Sequence, residues 1–261
     1  MNPRPYLREI GLKREKIADF NQYPFVIPAV RKLEILTFHP DVTFLVGENG
    51  IGKSTLLEAI AVALGFNPEG GSKNFRFNTR ASHAELFRYL KIVRSFRRPR
   101  DGYFLRAESF FNVATEIERL DEGPNASSDD SIIKAYGGLS LHEQSHGESF
   151  WSLVLHRFRG HGLYILDEPE AALSPKRQLL MLRRIHELVE KESQFIISTH
   201  SPLLLAYPRA KIVALDERGF RETGYEQTDP YRITREFLNE PRKMLDRLLT
   251  GDALQDGLFD A

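Results

Sequence analysis

The feature that most restricts how this chain can fold is an octapeptide, Gly47-Glu48-Asn49-Gly50-Ile51-Gly52-Lys53-Ser54, of the form G-x-x-x-x-G-K-S. It follows the apolar run Val42-Thr43-Phe44-Leu45-Val46 and opens a helical pattern from Lys53 to Leu64. Strand, glycine-rich loop and helix in that order let the backbone wrap closely around a phosphate. The loop N–H groups and the helix N-terminus supply partial positive charge. In such a loop Lys53 reaches the β- and γ-phosphates and Ser54 offers its hydroxyl to Mg²⁺. The expected nucleotide-binding set is therefore Gly47, Glu48, Asn49, Gly50, Ile51, Gly52, Lys53, Ser54 and Thr55. The alternative is a glycine-rich turn that happens to contain Lys-Ser.

Three further apolar runs have the length of strands buried on both faces. Leu163-Tyr164-Ile165-Leu166 runs into Asp167, Phe195-Ile196-Ile197 into Ser198-Thr199-His200, and Ile212-Val213-Ala214-Leu215 follows. Helical stretches alternate with them, Glu148 to Arg159 and Lys176 to Glu190, the second preceded by Pro175, which a helix start tolerates. The alternation predicts an α/β fold, a P-loop type core whose mainly parallel sheet is flanked by helices, with active loops at the strand C-terminal ends. Asp167 then holds Mg²⁺ through water, and Glu168 orients or deprotonates the attacking water. Taken alone, Asp167 and Glu168 read equally well as solvated acids at a strand end, with Pro169 stopping the strand.

Composition narrows the alternatives. The 261 residues contain no cysteine, which excludes disulfides, thiolate metal sites and thiol catalysis. Lys plus Arg and Asp plus Glu are 36 each, so no overall field draws the chain to nucleic acid or membrane. No apolar run reaches the length of a membrane span, and Met1 to Ile10 is polar and charged, unlike a secretory signal. The expectation is a cytoplasmic protein with no membrane contact. Residues 1–66 and 139–227 carry the core pattern. Residues 67–138 read as an inserted helical lobe and 228–261 as a helical C-terminal tail. Within the insert, Lys73 to Arg106 is strongly basic, opposed only by Glu85 and Asp101. It is the one candidate DNA-contacting stretch, the alternative being a solvated lobe whose arginines pair with acids nearby.

Asp167-Glu168-Pro169-Glu170-Ala171-Ala172-Leu173-Ser174-Pro175, followed by Ser198-Thr199-His200-Ser201-Pro202, resembles the ATP-binding-cassette (ABC-type, AAA) ATPases, and the small SMC, RecF and OLD-like branch in particular. In the place of that family's signature stands Gln144-Ser145-His146-Gly147-Glu148-Ser149. The resemblance implies Mg-dependent ATP hydrolysis by a homodimer that closes on ATP. Ser145, His146, Gly147 and Glu148 would then face the nucleotide of the other subunit. It implies catalytic roles for Glu168, Lys53 and His200, the last as the residue that senses the γ-phosphate. Ser54 and Asp167 would be the metal-binding residues. The family's metal-coupling glutamine is missing from Tyr103 to Ser109, and Glu108 is the candidate substitute. Tyr23, Phe25 and Arg31 are candidates for stacking on adenine. No coiled-coil arm fits between the first motif and the signature, so the output is expected to pass to DNA or to a protein effector, in genome maintenance or defence. The ATPase subunit of a membrane transporter is the alternative. A remoter one is a zinc hydrolase, because His142-Glu143-Gln144-Ser145-His146 reads H-E-x-x-H. Gly147 directly after it is a poor continuation of an active-site helix.

Overall fold

The computed structural model describes residues 5–73, 85–121 and 146–250. In chain order the elements are β1 (Leu7–Leu12), α1 (Pro28–Arg31), β2 (Ile35–Thr37), β3 (Val42–Val46), α2 (Lys53–Ala63), β4 (Leu90–Arg94), β5 (Asp101–Arg106), α3 (Phe110–Asp121), α4 (His146–His156), β6 (Gly162–Asp167), α5 (Pro175–Glu190), β7 (Gln194–Ser198), α6 (Pro202–Leu205), β8 (Ala210–Asp216), β9 (Gly219–Thr223), α7 (Asp229–Asn239) and α8 (Pro241–Thr250). All four apolar runs are strands, and the P-loop sequence joins β3 to α2 as expected.

The main sheet has the order β5-β6-β7-β3-β8-β9. Its first five strands are parallel, and β9 returns antiparallel to β8. A parallel sheet is covered on both faces, so its strands are apolar throughout and successive side chains serve two different cores. Phe44, Tyr103, Leu105, Tyr164, Leu166, Phe195 and Ile197 point into one, where α3, α4 and α5 contribute Phe110, Phe150, Leu153, Ile185 and Leu188. Leu45, Phe104, Ile165, Ile196 and Val213 point into the other, against Leu56, Leu57 and Ile60 of α2. That second core is closed by a small antiparallel sheet of order β2-β1-β4, through Leu7, Ile10, Leu36 and Leu90.

The register sets up the site. Leu45 pairs with Ser198, Ser198 with Asp167, and Asp167 with Arg106. The C-terminal ends of β3, β7, β6 and β5 therefore lie side by side at one edge of the sheet, where open α/β sheets bind their ligands.

Residues 67–138 differ from the helical lobe that the charge pattern suggests. Of their described part, β4 belongs to the small sheet and β5 is an edge strand of the main sheet. The segment's long α-helix is α3. The reason is burial. Gly102 to Leu105 are enclosed by pairing with β6, while the basic residues that dominate the composition sit on the flanks. Of the expected C-terminal tail, the described residues 228–250 carry α7 and α8. The tail is held by Tyr225, whose hydroxyl donates to the Pro202 carbonyl at 3.0 Å and whose ring meets Tyr231 at 4.6 Å.

Candidate nucleotide site

The loop between β3 and α2 is shaped by two glycines, Gly47 and Gly52, at which there is no room for a side chain. A Cβ at Gly47 would stand 2.3 Å from the Leu215 carbonyl oxygen, and one at Gly52, with φ of +108°, would stand 2.4 Å from Ile27 Cγ2. The loop is thus pinned between β8 and the segment before α1, leaving its backbone N–H groups to line the turn. Lys53 is buried, and its ammonium donates to the carbonyls of Gly47 at 2.6 Å and Glu48 at 3.0 Å. Burial lowers its pKa, opposed by the carboxylates of Glu168, Asp167, Glu48 and Glu170. A desolvated ammonium needs acceptors, and here it uses those of its own loop.

Ser54 donates its hydroxyl to Asp167 Oδ1 at 3.1 Å, and Ser198 donates to the same oxygen at 2.7 Å. Burial pushes the Asp167 carboxyl up, while the Ser198 hydrogen bond, the Arg106 charge and the Ser54 hydrogen bond pull it back. Beyond β6, Glu168 adopts a left-handed backbone with φ of +48°, unusual for a residue with a side chain, and donates its N–H to the Ser198 carbonyl at 3.1 Å. This sharp turn brings Glu168 Oε1 to 3.6 Å from His200 Nε2. Glu170 Oε1 accepts the backbone N–H of His200 at 2.6 Å, which ties the turn after β6 to the end of β7. Burial raises the Glu170 pKa, and the His200 N–H lowers it in part.

Ser54, Asp167, Glu168, Glu108, Ala107 and Ala171 line a cavity of about 210 Å³. Its donor set suits a hard cation: a hydroxyl beside a carboxylate, with oxygens only. Among the described residues no three acidic or imidazole side chains form a metal cage. A magnesium ion would take one carboxylate and one hydroxyl from the protein, with phosphate and water completing it. Two buried nitrogens facing this edge, His200 Nε2 and Arg106 Nε, make no hydrogen bond. Such orphans fit a site that is completed by an anionic ligand.

Of the expected residues, those of the P-loop, Asp167, Glu168 and His200 lie together on three neighbouring strand ends and one helix start. Glu108 is the exception in detail. It lines the cavity, yet its side chain is 87% exposed and stands 3.5 Å from Arg106 Nη2. The residue that ends β5 in register with Asp167 is Arg106, which the basic composition of its segment assigns to a surface. Its guanidinium is only 19% exposed and pairs with Glu58 of α2 at 2.8 Å. Glu58 is a site neighbour that no motif marks, and Ser198 and Glu170, though inside the quoted motifs, have contacts with distant segments that spacing does not reveal. Of the signature, Ser145 lies outside the described residues, as do His142, Glu143 and Gln144 of the H-E-x-x-H match. The N-terminus of α4 begins at His146. A Cβ on Gly147 would meet the Ala172 carbonyl oxygen at 2.8 Å, so this helix start packs tightly on the turn after Glu168. Glu148 faces Arg177 at 3.8 Å. Of the adenine candidates, Phe25 is core, edge-on to Tyr89 at 4.8 Å, whereas Tyr23 is 66% exposed.

The chain is similar to several known proteins. A family model described as an AAA domain matches residues 16–135, and one described as an AAA ATPase domain matches residues 84–205. A protein of Haemophilus influenzae described as an uncharacterized ABC transporter ATP-binding protein is 26% identical over 215 residues, covering 77% of this chain and 78% of its own. A solved ATP-binding cassette of an ABC transporter is similar in fold, with a TM-score of 0.50 at 17% identity over 86% of this chain and 93% of that one. The SMC head domain of Thermotoga maritima aligns at 16% identity with a TM-score of 0.43, covering 84% and 99%.

Proposed function

We propose that this chain, a small ATPase of the ABC/AAA type, binds Mg·ATP at the C-terminal edge of its parallel sheet and hydrolyses it to ADP and phosphate as the driving step of a dimeric switch. The observation that carries this reading is the convergence of Lys53, Ser54, Asp167, Glu168 and His200 on adjacent strand ends, with the Ser54 hydroxyl already on Asp167 at 3.1 Å.

In this reading Lys53 exchanges the carbonyls of Gly47 and Glu48 for the β- and γ-phosphates, two acceptors for two. The loop N–H groups from Gly47 to Thr55 hold the phosphates at the α2 N-terminus. Magnesium, when bound, neutralises charge that develops on the phosphate oxygens. Ser54 and Asp167 would hold it, with the Asp167 carboxylate fixed by the Ser198 hydroxyl at 2.7 Å. Glu168 orients the attacking water and takes its proton. His200, its Nε2 free of hydrogen bonds, meets the γ-phosphate. Ser145, with the Gly147 N–H, completes the site from a second copy, so that ATP closes the dimer and hydrolysis opens it. DNA, reached through Lys73 to Arg106, or a protein effector receives the motion. Of the described cations in that stretch, Arg106 faces the site, Arg88 pairs with Glu85 and Arg97 with Glu192, leaving Lys73, Lys91, Arg94, Arg98 and Arg100 on the exposed flank.

Steady-state ATP hydrolysis at several protein concentrations, with and without double-stranded DNA, tests the reading. Specific activity should rise with protein concentration, and a further rise with DNA assigns the output. Lys53→Ala should abolish nucleotide binding, and Glu168→Gln should keep binding while slowing hydrolysis by about 10²–10⁴-fold. Full turnover in Lys53→Ala would remove the site assignment. A second reading, an ATPase subunit for a transporter, has the description of the Haemophilus influenzae relative behind it. Among the described residues no helix is long and apolar enough to cross a membrane. Such a role therefore needs a membrane partner, and co-fractionation with membranes distinguishes it.

A further inference from the structure

The guanidinium of Arg106 stands where a metal-binding carboxylate needs its counter-charge. Arg106 is the last residue of β5 and the register partner of Asp167. Its Nε lies 3.6 Å from Asp167 Oδ2 and makes no hydrogen bond, while its Nη1 pairs with Glu58 Oε2 at 2.8 Å and its Nη2 lies 3.5 Å from Glu108 Oε2. Asp167 Oδ1 already accepts the hydroxyls of Ser54 and Ser198, so the oxygen facing Arg106 is the uncommitted one. Arginine keeps its charge at every working pH, so this is a permanent cation beside the cavity that Ser54 and Asp167 line.

We propose that Arg106 is a positioning residue that competes with Mg²⁺ for Asp167, setting how much magnesium the nucleotide site requires. The inference rests on the nucleotide-site reading above and adds a residue to it. A cation bound at Asp167 would be repelled by a guanidinium that stands 3.6 Å from the same carboxylate. A divalent ion arriving at Asp167 therefore drives the guanidinium toward its other two carboxylates. Glu58 is already in contact, and Glu108 is exposed and free to follow. Without metal the same guanidinium offsets the negative charge of Asp167, Glu168 and Glu58 that would otherwise repel a nucleotide polyanion. Arg106 thus favours metal-free nucleotide and disfavours metal, two effects of opposite sign from one charge.

The test is equilibrium binding of a fluorescent ATP analogue to the full chain, once in EDTA and once as a Mg²⁺ titration at fixed nucleotide. Arg106→Met should weaken binding in EDTA by about tenfold and lower the Mg²⁺ half-saturation by a similar factor. Arg106→Lys, which keeps the charge, should stay near wild type in both. A residue that only braced β5 against α2 would not move the two readouts in opposite directions. An unchanged or higher Mg²⁺ midpoint in Arg106→Met overturns the proposal. Because that change removes the Arg106 contact of Glu58, Arg106→Met in a Glu58→Gln background is compared with Glu58→Gln alone, and the same fall in midpoint is expected. Wild-type chain that binds no nucleotide in either condition overturns the site reading and this inference together. Wild-type binding with an unmoved variant overturns the inference alone.

Discussion

At the scale of single residues, the site is built from groups whose charge is costly to bury and which are therefore tied to one another. Glu170 shows this most simply. Its carboxylate is drawn into the turn after β6 to accept the His200 N–H, and burial raises its pKa above the ordinary 4.5. A carboxyl with a raised pKa holds its proton longer in the folded chain than in the unfolded one. Its stabilising contribution is therefore present below pH 4.5 and is lost as pH rises through the shifted value. Glu170→Gln keeps an acceptor for His200 and cannot ionise. The Tm advantage of this variant over wild type should grow as pH rises above 4.5 and level off once pH passes the raised value. A difference that does not change with pH in thermal melts would mean that the carboxylate is not desolvated in solution. The glutamine should also retain nucleotide binding, since the His200 contact survives.

At the scale of elements, the edge strand β5 is the interesting case, because it carries Arg106 at its end and, beyond its pairing with β6, is met on its outer side by the single bridge of Phe104 to Gly71. Its start is clamped by a small polar group under a stacked pair of rings. Asp101 accepts Arg157 at 2.7 Å and meets the Tyr164 hydroxyl at 2.8 Å, and the same hydroxyl accepts the Arg159 N–H at 2.6 Å. Tyr164 in turn stacks on Phe158 with centroids 4.3 Å apart. The clamp joins the loop after α4 to both β5 and β6, and burial pushes the Tyr164 hydroxyl far above its usual range, so it stays a neutral donor. Tyr164→Phe keeps the ring packing and strips partners from Asp101 and the Arg159 N–H. It should cost about 1–3 kcal/mol in chemical denaturation. A loss below that range would mean that water replaces the hydroxyl.

At the scale of the whole molecule, α4 is where the proposed dimer contact meets the core. The sole tryptophan of the chain, Trp151, lies on α4 one turn past Gly147, partly buried and packed against the core beneath α4 and α5. It is an internal reporter for the seating of that helix. In a Glu168→Gln chain, which should hold ATP unhydrolysed, Mg·ATP should change Trp151 emission, and the change should deepen with protein concentration if a second copy completes the site. A concentration-independent change would point to a site closed within one chain. No response at all, with nucleotide bound, would separate α4 from the switch.

The sequence by itself determined whatever depends on neighbours in the chain. The P-loop needs its glycines, lysine and serine in consecutive positions. A strand buried on both faces must be apolar end to end, and a metal-facing acid must follow such a strand. Those local rules made β3, β6, β7 and β8 legible in advance and marked Lys53, Ser54, Asp167 and Glu168 as candidates, while His200 was marked by the resemblance of its motif. Only the tertiary structure decided what depends on register between segments far apart. It placed Asp101–Arg106 as an edge strand of the sheet in what composition marks as a basic helical lobe. It set Arg106 beside Asp167, with Glu108 exposed at the rim. It also gave Ser198 and Glu170 their partners. Composition assigns a run of arginines to the surface because it counts charges. Burial is assigned residue by residue, by which strand end each side chain meets.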